Sequence, residues 1–364
     1  MKCLGRNRPL SPGLEADLPS ARMNTLNIEE PGELLAYLRS AGRLDPGETP
    51  AMQPLSGGVS NRTVLVQRIN GESFVIKQAL EKLRVAVDWR SDPSRSHREA
   101  LGLVWLTRLA PRGTITPLLF EDEENHLVAM AAVPQPHENW KARLLTGALD
   151  KAYVEKFGEL LGVIHRHSRE FRLELAVVFD DRTFFVTLRL EPYYSFTASR
   201  NPNATSFFEQ LLLDTRATRE TLVHGDYSPK NILVQEDMLI LLDHEVVHWG
   251  DPAFDLGFSL THLLSKAHHL VAHRADFLHA AESFWRSYCE AAGEIGRSES
   301  LQDRAARHTL GCLLARVDGR SPLEYLTEVE RSRQREIALT LMQRPPKTVP
   351  ALIASFAERL TLPA

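Results

Sequence analysis

His224 and Asp226 sit two residues apart, Asn231 follows in the same loop, and Asp243 opens the run Asp243-His-Glu245. A carboxylate on a turn-prone loop, then a carboxamide, then a second carboxylate is the set that phosphoryl transfer asks for. That reaction needs little covalent chemistry from the protein. It needs a carboxylate beside an attacking hydroxyl and hard oxygen ligands that hold magnesium against phosphates. Gly225, Ser228 and Pro229 predict a loop around Asp226. Ile232-Leu-Val234 and Met238-Leu-Ile-Leu-Leu242 are β-prone apolar runs around Gln235-Glu-Asp237, which predicts a hairpin. Pairing outward from its turn brings Asn231 close to Asp243 across the ladder. Oxygen ligands in that number suit magnesium better than zinc. A lone triplet of this kind occurs on many solvated surfaces; the triplet, the spacing, the hairpin and the second acid in one order do not. His224 is expected behind the loop, bonding backbone to fix its shape rather than carrying protons.

Phosphate handling should come from earlier in the chain. Residues from about Met52 to Val133 read as a small β-rich lobe. Gly57-Gly58 precedes an alternating run, Asn70-Gly71 marks a tight turn, and Ser73-Phe-Val-Ile-Lys-Gln78 is the returning strand. Such a loop can lay backbone N–H groups against phosphate without side-chain clash. Lys77 shares a strand face with Val75 and so points beneath the loop, where its burial needs a phosphate or a carboxylate. Glu99, at the start of a helical stretch running to about Leu109, is the expected carboxylate. Ile115–Phe120 and His126–Met130 predict another strand pair, which leads into Ala131-Ala-Val-Pro-Gln-Pro136. Prolines there suit a hinge whose backbone could serve an adenine ring, with Met130 and Ala132 as the candidate contacts.

The whole chain can house this machinery. Its 364 residues are enough for two lobes and their cores. A formal net charge of -4 gives no reason to expect nucleic acid. Cys3, Cys289 and Cys312 show no metal-ligand spacing and fit a reducing compartment. The absence of a long apolar run or an apolar leader points away from membranes and secretion and towards the cytoplasm. The pattern carries no signal for an oligomeric state. Residues 1–22 lack periodicity and are expected to be disordered, with Met23 a candidate true start. Residues 23–133 are expected to form the nucleotide-binding lobe, opening with a helix near Pro31, and residues 134–364 a helical lobe. In that lobe Lys151–His167 has helical spacing, with His165 and His167 as core or capping residues. Asp251-Pro-Ala-Phe-Asp-Leu-Gly257 starts another helix, and Asp255 is expected to reach back to the catalytic-loop backbone.

Leu55-Ser-Gly-Gly-Val-Ser-Asn61, Ile76-Lys77, His224-Gly-Asp226 with Asn231, and Asp251-Pro-Ala-Phe-Asp255 occur in the order found in the aminoglycoside phosphotransferase/choline kinase superfamily, which this chain resembles over roughly residues 50–265. The resemblance implies an α+β, two-lobed, protein-kinase-like fold that uses ATP and Mg2+. It implies Asp226 as the catalytic base, Asn231 and Asp243 as metal ligands, Lys77 as the phosphate contact, and Gly57, Gly58, Ser60 and Asn61 as the nucleotide loop. Within the superfamily, Val75-Ile-Lys-Gln-Ala-Leu80, Leu83-Arg84, Trp89 and Arg98-Glu-Ala100 are most similar to methylthioribose kinase. Asp243-His-Glu245 looks like that enzyme's metal pair, which would make Glu245 a further ligand. Lys230-Asn231 departs from its usual Gly-Ser, so the metal site reads as a hybrid of two patterns. Arg316 is a candidate for its substrate-binding arginine pair, without its neighbour.

The expected reaction is transfer of the γ-phosphoryl of ATP to a hydroxyl of a small sugar-like or amino-alcohol acceptor. Methylthioribose specifically, another pentose, and a hydroxylated antibiotic of the aminoglycoside type stay open. A different class, a catalytically silent nucleotide-binding sensor or scaffold, usually lacks the base, the metal acid or the lysine; all three are present here. Ser228-Pro229 and the lack of an Ala-Pro-Glu-type segment after Asp243 argue against a protein kinase.

Overall fold

The structure is a computed structural model that describes residues 26–55, 58–85 and 88–361. The segment expected to be disordered, with Met23, lies outside the described residues, as does Gly57. The fold is α+β with two lobes.

The smaller lobe is an antiparallel sheet. Its strands are β1 (Ala51–Pro54), β2 (Asn61–Gln67), β3 (Ser73–Ala79), β4 (Leu118–Asp122) and β5 (Leu127–Ala131), in the order β1-β2-β3-β5-β4. Alternation along β3 divides its side chains between two environments. Phe74 and Ile76 join Val64, Val66 and Ala129 against helix α1 (Pro31–Ser40), which buries Leu34 and Leu38 one turn apart. Pro31 at the first helical turn sets where α1 begins. Val75 and Lys77 face the opposite way, towards helix α2 (Arg95–Leu109) and the larger lobe. The sheet is thus covered on one face by α1 and leaves its other face to build the site.

Val133 to His137 leads out of the sheet into β6 (Glu138–Asn139), which pairs with β8 (Ile232–Gln235), itself paired with β9 (Met238–Leu241). The register Ile232↔Leu241 to Gln235↔Met238 leaves a two-residue turn, Glu236-Asp237, with Glu236 at φ 51°. A second small pair joins β7 (Thr221–Val223) to β10 (His248–Gly250). These short ladders sit on a helical core. The helix Lys151–Glu170 begins at Asp150, whose carboxylate accepts from the Ala152 N–H at 2.8 Å, and it buries Val154, Phe157, Leu161 and Ile164. His165 and His167 bond Tyr288 and the Leu109 carbonyl, as expected of core and capping residues. The helix Ala253–His269 is buried along nearly its whole length and forms the centre of the larger lobe.

One helical run was not anticipated. Val186–Ser195 is a wide helix with i→i+5 bonding, set between the short α-helical pieces Thr183–Phe185 and Phe196–Arg200. Pro192 inside it lacks an N–H and cannot continue an ordinary α-helix, and wide turns of this sort are frequent at functional sites. Among the described residues, no helix is long and apolar enough to cross a membrane.

Candidate active site

The loop before β8 is fixed from behind. Asp255, in the first turn of Ala253–His269, accepts from the N–H groups of His224 (2.7 Å) and Gly225 (2.8 Å). Gly225 takes φ 77°, a left-handed conformation that turns the chain so that Asp226 faces outward. His224 Nδ1 accepts from the Asp226 N–H at 3.2 Å, which leaves its Nε2 as the donor to His244 Nδ1 at 3.2 Å. Burial holds both imidazoles below their ordinary range, His244 further than His224, so the pair is neutral and can keep this donor–acceptor order.

Asp226 is gripped on one side. Its Oδ2 accepts from Asn231 Nδ2 at 2.7 Å and lies 2.9 Å from Arg189 Nη2. The hairpin ladder continues past β8, since Leu242 N–H donates to the Asn231 carbonyl at 2.9 Å. Asn231 therefore stands opposite Leu242, one residue from Asp243. Asp243 adopts φ 70°, rare for a residue with a side chain and the kind of backbone strain that persists at functional positions.

From the sheet, Lys77 Nζ reaches Glu99 Oε1 at 2.5 Å and Asp243 Oδ1 at 3.0 Å, joining β3, α2 and the end of β9. Burial works to raise the Asp243 carboxyl, but Lys77, Lys230 and Arg189 together outweigh it and hold Asp243 below the usual carboxylate range. The Lys77 ammonium is held above its ordinary range: burial opposes its charge, and Asp243, Glu99 and Glu245 together outweigh burial. Glu99 moves the other way. Its deeper burial pushes it up, with Asp243 and Glu245 adding to the shift, although Lys77 opposes it. Glu99 and Asp243 share one ammonium, and of the two Glu99 is the easier to protonate.

Glu245 completes this group. One carboxylate oxygen each from Glu99, Asp243 and Glu245 lies within 4.8 Å of the others, an all-oxygen donor set. Glu245 Oε2 also accepts from Arg95 Nε (3.0 Å) and Asn61 Nδ2 (3.2 Å). Arg95 is fully buried and bonds four backbone carbonyls besides, those of Ser60, Leu80, Ser91 and Asp92. Ser60 and Asn61 are thereby tied to Glu245. Gly102 brings α2 close to the same segment: a Cβ there would stand 2.7 Å from His244 Cβ and 3.3 Å from its carbonyl oxygen.

Gly58, Ser60, Asn61, Lys77, Asp226, Asn231, Asp243 and Glu245 all line one cleft of about 690 Å³, with Glu99 directly behind Lys77. Met130 and Ala132 stand apart. Met130 is buried in β5 between β3 and β4, and the Ala132 N–H already donates to the Ser73 carbonyl at 3.0 Å. Arg316 does line the cleft. Sequence reasoning missed Arg189, Tyr193 and Arg95. The one available signal for the first two was Pro192, which marks an irregular helix; nothing local distinguishes Arg95 from any other arginine at a helix start.

The comparisons with known proteins accord with this geometry. A methylthioribose kinase of Pectobacterium carotovorum subsp. carotovorum (strain PC1) is 26% identical over 259 residues, covering 64% of this chain and 64% of that enzyme. The methylthioribose kinase of Citrobacter koseri (strain ATCC BAA-895 / CDC 4225-83 / SGSC4696) is 24% identical over 311 residues, covering 76% and 77%. The chain thus spans 64% of the length of the Pectobacterium relative. Among solved structures, an amicoumacin kinase in complex with AMP-PNP, Ca2+ and Ami superposes with a TM-score of 0.56 at 12% identity, over 87% of this chain and 96% of that one. An ethanolamine kinase of Plasmodium vivax does so with a TM-score of 0.54 at 11% identity, over 87% and 90%. These two share the fold. The sequence pattern of the phosphotransferase enzyme family matches residues 51–293, well over half of the chain. The chain belongs to the phosphotransferase enzyme family.

Proposed function

We propose that this chain transfers the γ-phosphoryl group of ATP to a hydroxyl of a small molecule, with Asp226 as the base. The observation that carries the reading is the one-sided grip on Asp226. Asn231 and Arg189 hold Oδ2, while Oδ1 makes no hydrogen bond among the described residues and the carboxylate lines the cleft. A carboxylate held in this way orients an incoming hydroxyl and accepts its proton as the oxygen bonds to phosphorus, while the bond from that phosphorus to the β–γ bridging oxygen breaks and ADP leaves.

Asn231, Asp243 and Glu245 would hold magnesium. The carboxylate oxygens of Asp243 and Glu245, which converge with one of Glu99, the place of Asn231 one residue from Asp243 across the ladder, and the strained backbone of Asp243 support this assignment. Bound magnesium supplies charge neutralisation and alignment of the phosphates. Lys77, kept charged by its acidic partners, would offer its ammonium to the phosphate oxygens, with Glu99 orienting it. Gly58, Ser60 and Asn61 at the cleft edge would bound the nucleotide, and the Arg95–Glu245 contact would keep that loop in register with the metal acids. The methylthioribose kinases among the relatives support a sugar-like acceptor.

The test is magnesium-dependent ADP release across sugars, amino alcohols, hydroxy acids and aminoglycosides, with Asp226→Asn as control. A stimulating acceptor should be found, and the variant should lose about 10²- to 10⁴-fold in turnover at nearly unchanged ATP affinity. Near-normal turnover in Asp226→Asn would sink the assignment.

A further inference from the structure

The helical end of the cleft holds more positive charge than its own carboxylates can answer. Arg316, Arg320, Lys230 and Lys141 line it, with Glu324 as the carboxylate among them. Lys141 pairs with Glu324, and Asp226 is taken by Arg189. Among the described residues, no carboxylate lies within 4.0 Å of a charged nitrogen of Arg316, Arg320, Lys230 or Lys266. Arg316 is only 8% exposed, and its Nη1 bonds neutral groups, the Tyr193 hydroxyl and Ser321. Its Nε is buried with no partner, and so is Nε2 of His262, a residue 3% exposed that also lines the cleft.

A buried guanidinium that no carboxylate touches and an orphaned buried donor are expensive unless something supplies the missing acceptors. Burial, with Arg316, Lys266 and Lys141 adding to it, keeps His262 well below its usual range, so the imidazole is a neutral hydrogen-bonding group there. Tyr193 and Phe258 stack at 5.8 Å beneath Arg316, whose guanidinium carbon lies 5.6 Å from the Tyr193 ring. The floor is therefore flat and aromatic, the rim cationic.

We propose that the acceptor is an anionic hydroxy compound, whose carboxylate or phosphate ester binds at Arg316 and His262 while a hydroxyl faces Asp226. This rests on the phosphotransfer reading and narrows its substrate class. The planar fork of Arg316 suits either anion, and Lys230 and Arg320 add longer-range attraction at the mouth. A cationic acceptor such as an amino alcohol or an aminoglycoside would meet repulsion that Glu324, already held by Lys141, offsets only in part. Transfer to the hydroxyl proceeds as before: the acceptor oxygen bonds to the γ-phosphorus, ADP leaves, and the proton passes to Asp226.

Calorimetric titration of the full chain with D-ribose, D-ribonate, D-ribose 5-phosphate and ethanolamine tests this without requiring turnover. At least one of the two anions should bind about tenfold or more tightly than ribose, and the stronger of them identifies carboxylate or phosphate as the recognised group. Arg316→Gln should bring the anions to within about threefold of ribose. Lys230→Gln, an exposed change that tests the same attraction should the buried variant not fold, should weaken anion binding severalfold and ribose binding by less. Equal binding of ribose and both anions, preference for ethanolamine, or no measurable anion binding at millimolar concentration overturns the proposal. ADP release is read separately. Preserved anion preference with no phosphoryl transfer to any acceptor removes the kinase reading and leaves the anion site standing.

Discussion

Arg189 Nη2 lies 2.9 Å from Asp226 Oδ2, and the same guanidinium donates from Nε to the Gly225 carbonyl at 2.8 Å. One side chain from the wide helix Val186–Ser195 thus fixes both the carboxylate and the backbone that carries it. Burial opposes the guanidinium's charge, but Asp226 and the neighbouring acids more than compensate and hold Arg189 above its ordinary range. Arg189→Met should leave Asp226 free to turn away from the acceptor. We expect turnover to fall by about 10²-fold with ATP KM little changed, the cost of a displacement near 1 Å. Steady-state kinetics decide it; a variant impaired only in ATP KM contradicts the assigned part.

Arg95→Met should act on stability first. It strands Glu245 as a buried carboxylate and frees the carbonyls of Ser60, Leu80, Ser91 and Asp92. Breaking a buried pair by removing one partner costs about 3–5 kcal/mol. Urea unfolding should show a loss of that size, and Arg95→Met/Glu245→Leu should recover part of it. A double variant no more stable than the single one argues against direct coupling.

Gly102→Ala places a methyl 2.7 Å from His244 Cβ. Neither the helix nor the segment Asp243–Glu245 can yield without moving Glu99 relative to Asp243. We expect a destabilisation of about 1–3 kcal/mol and a higher requirement for magnesium. Unchanged magnesium dependence together with unchanged stability means that α2 accommodates the methyl freely.

Lys266 gives a pH dependence with a definite sign. Burial, then Lys141 and Arg316, lower its ammonium from 10.5 to about 7. Between those values the unfolded chain keeps the proton and the folded chain releases it, so stability rises with pH from about 7 to about 10. The slope from this group is about 1.4 kcal/mol per pH unit. Urea midpoints for wild type and Lys266→Met at pH 7 and pH 9 isolate it from other titrations, because only the wild type should gain the extra increment. Parallel curves rule the effect out.

Much of the machinery was legible because it is local. His-x-Asp, the spacing to Asn231 and the apolar runs of a hairpin obey rules that span a few residues, and the register Ile232↔Leu241 follows from where the turn falls. Alternation along Ser73–Ala79 likewise set Lys77 on the cleft face, and the pattern around Pro31 announced α1. Asp255 bonding the His224 and Gly225 amides was also expected.

Tertiary structure alone decided which charges meet. Arg95 and Glu245 are joined across 150 positions, and Asn61 and Glu245 across 184, by the docking of one lobe on the other. No propensity or periodicity carries that information. The wide helix escaped notice because Pro192 marks an irregularity without saying which hydrogen-bonding pattern replaces the ordinary one. The cationic rim escaped because Lys230, Arg316 and Arg320 look unremarkable singly, and only folding shows that they meet around one carboxylate, Glu324, which Lys141 already holds. The sequence by itself determined which polar and charged groups occur and their order along the chain; the fold decided their partners and the charge at each end of the cleft, since electrostatic pairing depends on distance in space.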